Sequence, residues 1–172
     1  MNHRKWTTAE ITRLGLLFAL AIALSYLESL IPVVIPIAPG IKLGLSNIVT
    51  MFCLYSINPG AAVVIAVLKG GFAFLTRGAV AGILSLSGGL CSVLVLWLSG
   101  KTKCSDGMRS VLGAVTHNMA QLFVETVLMK NTAVLTFLPV LILGGIVCGS
   151  VTAVLLRYLL PVISRAVFTE KS

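Results

Sequence analysis

Uninterrupted apolar runs constrain this chain more than any other feature. Residues 14–24, 61–68 and 138–149 carry no charged side chain. In lipid, a backbone must satisfy its own hydrogen bonds, which leaves helices or closed barrels. Barrel strands alternate apolar and polar residues, whereas these runs are continuous, so helices are expected. Six spans of about 20 residues each would take most of the 172 residues, leaving short loops and two tails. Composition agrees, with 58% hydrophobic and only 10% charged residues. A soluble domain carries about 25% charge. A soluble enzyme, a secreted disulfide scaffold and a disordered chain are excluded, and an all-α polytopic membrane protein, a six-transmembrane-helix bundle, remains.

The chain reads as one integral membrane domain over 1–172, with spans at about 8–31, 43–57, 59–75, 80–98, 108–129 and 134–163. Thr7 and Glu10 have capping-box spacing, and Asn58-Pro59 supplies an N-cap followed by proline at the first helical position. Asn131 begins the last span, with a bend or a short leading segment at Pro139. Pro32, Pro36 and Pro39 forbid a regular helix between the first two spans, and that apolar segment is expected to cover the mouth of the bundle. The first apolar run is expected to be a retained span and not a signal peptide. Gly78/Gly82, Ser85/Gly89 and Gly145/Gly149 form small-xxx-small pairs that let helices approach closely in lipid. Ala19 and Ala23 repeat that spacing on the first span, as ordinary packing or as a docking face.

The formal net charge of +8 is read as topology determinants and not as a nucleic-acid footprint, because the cations lie between apolar runs. With both termini cytoplasmic, nine Lys and Arg fall inside and four outside, as the positive-inside rule requires. The cell membrane is therefore the expected location. Four scattered cysteines without C-x-x-C imply neither a disulfide nor a metal site.

Chemistry is sparse. Gly100-Lys101-Thr102 resembles the tail of a phosphate-binding loop, but Val95 stands where the motif needs its first glycine. Asp106 is the only aspartate, so the acidic clusters that hold Mg²⁺ for prenyl diphosphate chemistry are missing. No catalytic residue and no cofactor is expected, and the chain is not expected to be an enzyme. The informative residues are polar groups inside the spans, which are costly in lipid. His117, Asn118, Gln121 and Glu125 are expected on one face of span five. Asn47 opens span two, and Ser85 interrupts span four. Glu28, Lys42, Lys69 and Arg77 fall toward the outer leaflet, where the cations suit an anionic ligand or snorkel to lipid phosphates. Together these ten residues form the candidate ligand site.

Three segments, 39–47 (PGIKLGLSN), 82–92 (GILSLSGGLCS) and 113–122 (GAVTHNMAQL), resemble signatures of the Gx transporter family, also labelled heptaprenyl diphosphate synthase component I. That family is similar in size and layout to S-components of energy-coupling factor (ECF) transporters. The resemblance implies a substrate-binding subunit for a small vitamin or cofactor precursor, flavin- or quinone-related. It further implies a transmembrane coupling subunit docking at Ala19 and Ala23, and separate ATPase subunits. The family's other label implies a different role, a non-catalytic membrane subunit associated with a polyprenyl diphosphate synthase in quinone biosynthesis.

Overall fold

A computed structural model describes residues 7–30 and 45–168. Within them the chain is all helical: α1 (Thr8–Leu30), α2 (Leu45–Ser56), α3 (Pro59–Arg77), α4 (Ala79–Ser99), α5 (Asp106–Met129), a 3-10 turn (Thr132–Phe137) and α6 (Leu138–Phe168). Local signals set these starts. The Thr7 amide donates to Glu10 Oε2 at 2.9 Å and the Glu10 amide to Thr7 Oγ1 at 3.3 Å, which completes the capping box. Asn58 Oδ1 accepts from the Ala61 amide at 2.8 Å, with Pro59 at the first helical position. Ser105 Oγ caps α5 by accepting from the Met108 amide at 3.3 Å. Asn131 Oδ1 accepts from the Ala133 amide, so it caps the 3-10 turn, and α6 begins only at Leu138 with Pro139 in its first turn.

Successive helices from α2 onward form antiparallel hairpins, and glycines mark their seams. A Cβ on Gly70 would lie 3.0 Å from Leu86, and one on Gly82 would lie 2.8 Å from the Phe74 backbone, so α3 and α4 run past each other in opposite directions. Gly113 meets Leu96 and Gly88 meets His117 across α4 and α5. Gly145 meets Val115 and Gly149 meets Val111 across α5 and α6, with Cβ-to-backbone approaches of 3.0 and 2.6 Å. Between lipid-immersed helices there is no water to expel, so this close backbone approach supplies dispersion contact. Ser110 Oγ reinforces the last seam by donating to the Gly149 carbonyl at 2.8 Å.

Gly78 differs from the packing role expected of it. Its φ of 92° places it in the region that favours glycine, and it reverses the chain between α3 and α4 as the only residue between them. A Cβ there would touch nothing within 4 Å. Its partner Gly82 packs, as do Gly89, Gly145 and Gly149.

The shortest helix lies at the centre. α2 contacts α1, α3, α4 and α6, and its residues 48–53 are all buried. A helix covered on every side needs no amphipathic stripe, which is why Ile48, Val49, Met51, Phe52 and Cys53 follow one another with only Thr50 between. Outward faces are apolar too. Leu75 is 83% exposed, Phe123 68% and Leu143 64%, a surface that suits lipid and would not suit water. Among the described residues, four helical stretches, Thr8–Leu27, Pro59–Arg77, Ala79–Ser99 and Thr132–Leu159, are long and apolar enough to cross a membrane. α5 has the length, at 24 residues, but its polar residues lower its hydropathy.

The seams predict opposite outcomes for two glycines. Gly149→Ala should force α5 and α6 apart and cost about 1–3 kcal/mol. Gly15→Ala, where a Cβ would meet nothing within 4 Å, should be neutral or gain up to about 1 kcal/mol of helix propensity. Thermal unfolding in detergent reads both; equal midpoints would show that the seam is not close-packed.

Candidate functional site

α2 is only 12 residues long, about 18 Å at 1.5 Å per residue, against about 30 Å of hydrocarbon. Its C-terminal end joins α3 through Ile57 and Asn58, so its N-terminal end lies alongside the middle of α3. Lys69 stands there. It is ten residues past Pro59 and eight short of Arg77, about 15 Å along the helix. Its ammonium donates to Asn47 Oδ1 at 3.1 Å, in a partly buried setting. The sequence placed Lys69 toward the outer leaflet. The structure moves it to the middle of its helix, because α3 continues to Arg77 and the whole stretch Pro59–Arg77 is apolar enough to cross.

An ammonium at mid-depth is among the costliest groups a membrane protein holds, and Asn47 offsets part of that cost with a charge-assisted hydrogen bond. The first-turn amides of α2, at Leu45, Ser46 and Asn47, have no partner inside their own helix. They add the positive end of a helix dipole to the same locality. Below them a small void of about 10 Å³ is lined by Asn47, Ser92, Ser110 and Thr152 among apolar neighbours. Four polar side chains thus meet apolar Met51 and Leu96 where α2, α4, α5 and α6 come together.

The polar residues of α5 do not share one face. His117 and Gln121 press on α4. A Cβ on Gly88 would come within 2.9 Å of His117 Nδ1 and 3.0 Å of Gln121 Cγ, and Gln121 Nε2 donates to the Leu84 carbonyl at 3.3 Å. Asn118 turns the other way and donates through Nδ2 to the Leu141 carbonyl of α6 at 3.2 Å. Consecutive residues lie about 100° apart around a helix, so His117 and Asn118 serve two seams. Glu125 is partly buried, one turn beyond Gln121. Ser85 is partly buried on α4, next to Leu84.

The remaining candidates stand apart. Arg77 is exposed and borders a groove of about 890 Å³ between α1 and α3, lined also by Phe18, Ile22, Tyr26 and Phe72. Ala19 and Ala23 line that groove too and are exposed, whereas the buried face of α1 is Leu14, Leu17 and Ala21. The alanine pair thus lies outside the intramolecular seam. Glu28 belongs to the last turn of α1, and its side chain lies outside the described residues. Lys42 and the 32–39 proline segment lie outside them as well. Sequence reasoning missed the depth of the Asn47–Lys69 pair. It also missed Tyr55, Arg109 and Arg157 at the opposite end of the bundle. For the depth, the offset from the Asn58-Pro59 cap was the available signal.

Helix content, lipid-compatible faces and buried polar pairs define an all-α integral membrane protein with a few polar groups between its helices. The family model described as heptaprenyl diphosphate synthase component I matches residues 17–159, and the chain belongs to that family. No curated protein and no solved structure matches it.

The Asn47–Lys69 bond should be measurable. Asn47→Leu removes the amide acceptor and should cost about 1.5–3 kcal/mol, the range for hydrogen bonds to charged groups. Asn47→Leu combined with Lys69→Met should recover part of that loss. A thermal-unfolding double-mutant cycle checks this, and strict additivity would mean the two side chains are not coupled.

Proposed function

We propose that this chain is a non-catalytic, membrane-embedded substrate-binding subunit of an ECF-like importer, taking a small anionic vitamin or cofactor precursor. The observation that carries the reading is the Asn47–Lys69 pair at the start of α2. Binding sites of membrane transporters form near mid-depth, where a helix begins inside the bilayer and turns its positive end toward an anion. Lys69 adds a full charge to that end. A carboxylate or phosphate entering from the outer mouth would exchange the Lys69–Asn47 bond for a stronger ionic one. Asn118 and Gln121 hold the α5 seams in register around it. Both termini would face the cytoplasm, on the excess of cations at that end.

Turnover would need partners, since the chain has no phosphate-binding loop. The exposed Ala19 and Ala23 would let a transmembrane coupling subunit approach α1 closely, with ATPases attached to it. A second reading has its own support in the family match: the chain would be the membrane component of a polyprenyl diphosphate synthase, tethering a soluble catalytic partner. The single aspartate argues for a non-catalytic role in that case as well.

Native mass spectrometry of the purified chain should detect a co-purifying anion, and Lys69→Met should weaken its retention at least tenfold while Lys130→Met leaves it intact. Ala19→Leu with Ala23→Leu should abolish ATP-dependent uptake in cells without loss of binding. Recovery of a prenyl synthase from mild detergent, with neither coupling subunit nor ATPase, would replace the importer reading with the second one.

A further inference from the structure

The pocket at the junction of α2, α4, α5 and α6 is lined by Asn47, Ser92, Ser110 and Thr152, with Met51 and Leu96 as apolar neighbours. Its three hydroxyl residues are nearly sealed from the surface, with Ser92 5%, Ser110 2% and Thr152 3% exposed. The space measures about 10 Å³. About 10–15 Å³ is the least that holds one water, and such a water needs two to four polar partners. No vitamin, lipid or peptide enters a space of that size.

The hydrogen bonds already made around the pocket decide what fits it. An ammonium can only donate, so the amide atom that Lys69 meets at 3.1 Å is Asn47 Oδ1. The other polar atom of that amide, Nδ2, is a donor, and no described residue accepts from it. Ser110 gives its hydrogen to the Gly149 carbonyl at 2.8 Å, so its oxygen offers only lone pairs. The Ser92 hydroxyl has no hydrogen-bond partner among the described residues, and unlike the Tyr55 hydroxyl its oxygen keeps accessible surface. The lining therefore presents a donor on α2, an acceptor on α5 and, on α4, a hydroxyl able to act as either. A metal cation needs acceptors only, and the nearby ammonium repels it. A halide needs donors only. Water donates and accepts.

We infer that this pocket binds one ordered water, which accepts from Asn47 Nδ2 and donates to Ser110 Oγ, with Ser92 as its third partner. The water extends the Lys69–Asn47 bond to α4 and α5. Bonds in such a chain polarise one another. The ammonium polarises the Asn47 amide, the amide holds the water more firmly, and the mid-depth charge is shared with two further helices. The inference stands on this pocket alone and is independent of the importer reading.

X-ray radiolysis of the full chain in lipid nanodiscs, read by mass spectrometry, tests it. Hydroxyl radicals form from water, so a sealed side chain is oxidised only where an ordered water adjoins it. Met51 is 2% exposed and lines the pocket, whereas Phe52 is wholly buried and is not part of the lining. The two side chains react with hydroxyl radical at comparable intrinsic rates. With unirradiated background subtracted, Met51 should be oxidised at least tenfold faster than Phe52. Ser92→Val, which removes a partner and fills the space with methyl groups, should lower Met51 oxidation at least fivefold. Ser150→Ala removes an exposed hydroxyl bonded to the Ile146 carbonyl of its own helix and should leave Met51 oxidation unchanged. Replacing sodium chloride with choline gluconate should also leave it unchanged. Equal oxidation of Met51 and Phe52 in the unsubstituted chain, or full Met51 oxidation in Ser92→Val, would overturn the inference. So would a rise in Met51 oxidation when sodium chloride is withdrawn, because an ion would then have held the pocket.

Discussion

Lipid gives a helical protein no water to expel between its helices, and the rest of this structure follows from that restriction. Helices that cannot be held together by the hydrophobic effect must touch closely or share hydrogen bonds. This chain does both at the same seams. Gly145 and Gly149 bring α6 onto the backbone of α5, and Ser110 and Asn118 on α5 bond to carbonyls of α6 at residues 149 and 141. Gly88 makes room on α4 for His117 and Gln121, and Gln121 then reaches the Leu84 carbonyl. Glycine and polar side chain work as pairs. The glycine removes the Cβ that would hold the helices apart, and the polar group uses the proximity.

The same restriction explains why a helix too short to cross can sit in the middle. Only a segment covered by other helices can begin inside the bilayer without exposing unsatisfied amides to lipid. α2 meets that condition, with α1, α3, α4 and α6 around it. Its N-terminal amides then require polar company at mid-depth, and Asn47, Lys69 and the nearby serines and threonine supply it. Placing Lys69 one turn toward either end of α3 would have let it snorkel to an interface. At the centre of α3 it is committed to the bundle, and its charge must be answered by protein or by ligand.

Much of this architecture was legible in the sequence, and the losses have physical causes. Caps at Thr7, Asn58 and Asn131 all cap in the structure, because a cap is a local hydrogen bond set by a few residues. Asn131 capped a 3-10 turn in place of the last long helix, a distinction that depends on where Pro139 can enter a helix. The Gly78/Gly82 spacing matched a packing motif, yet Gly78 is a chain reversal at φ 92°. Spacing does not encode which glycine lies inside a helix. The stripe from His117 to Glu125 was visible as a set of polar residues. Its division between two seams was not, since that depends on which helices flank α5. The alanine pair on α1 was ambiguous between packing and docking until the buried face of α1 proved to be Leu14, Leu17 and Ala21.

The two ends of α2 are unlike in the groups they gather. At its start, Asn47 bonds to Lys69 beside a small void lined by Ser92, Ser110 and Thr152 together with Met51 and Leu96. At the other end, Tyr55, Arg109 and Arg157 adjoin a larger space that opens sideways past Val154 toward lipid. A short α2 produces both features. By stopping at Ser56 it leaves room beneath its C-terminal turn, where Tyr55 lines the larger space. One short helix thus sets both the Asn47–Lys69 pair and the space beside Tyr55, and extending it past Ser56 would fill that space.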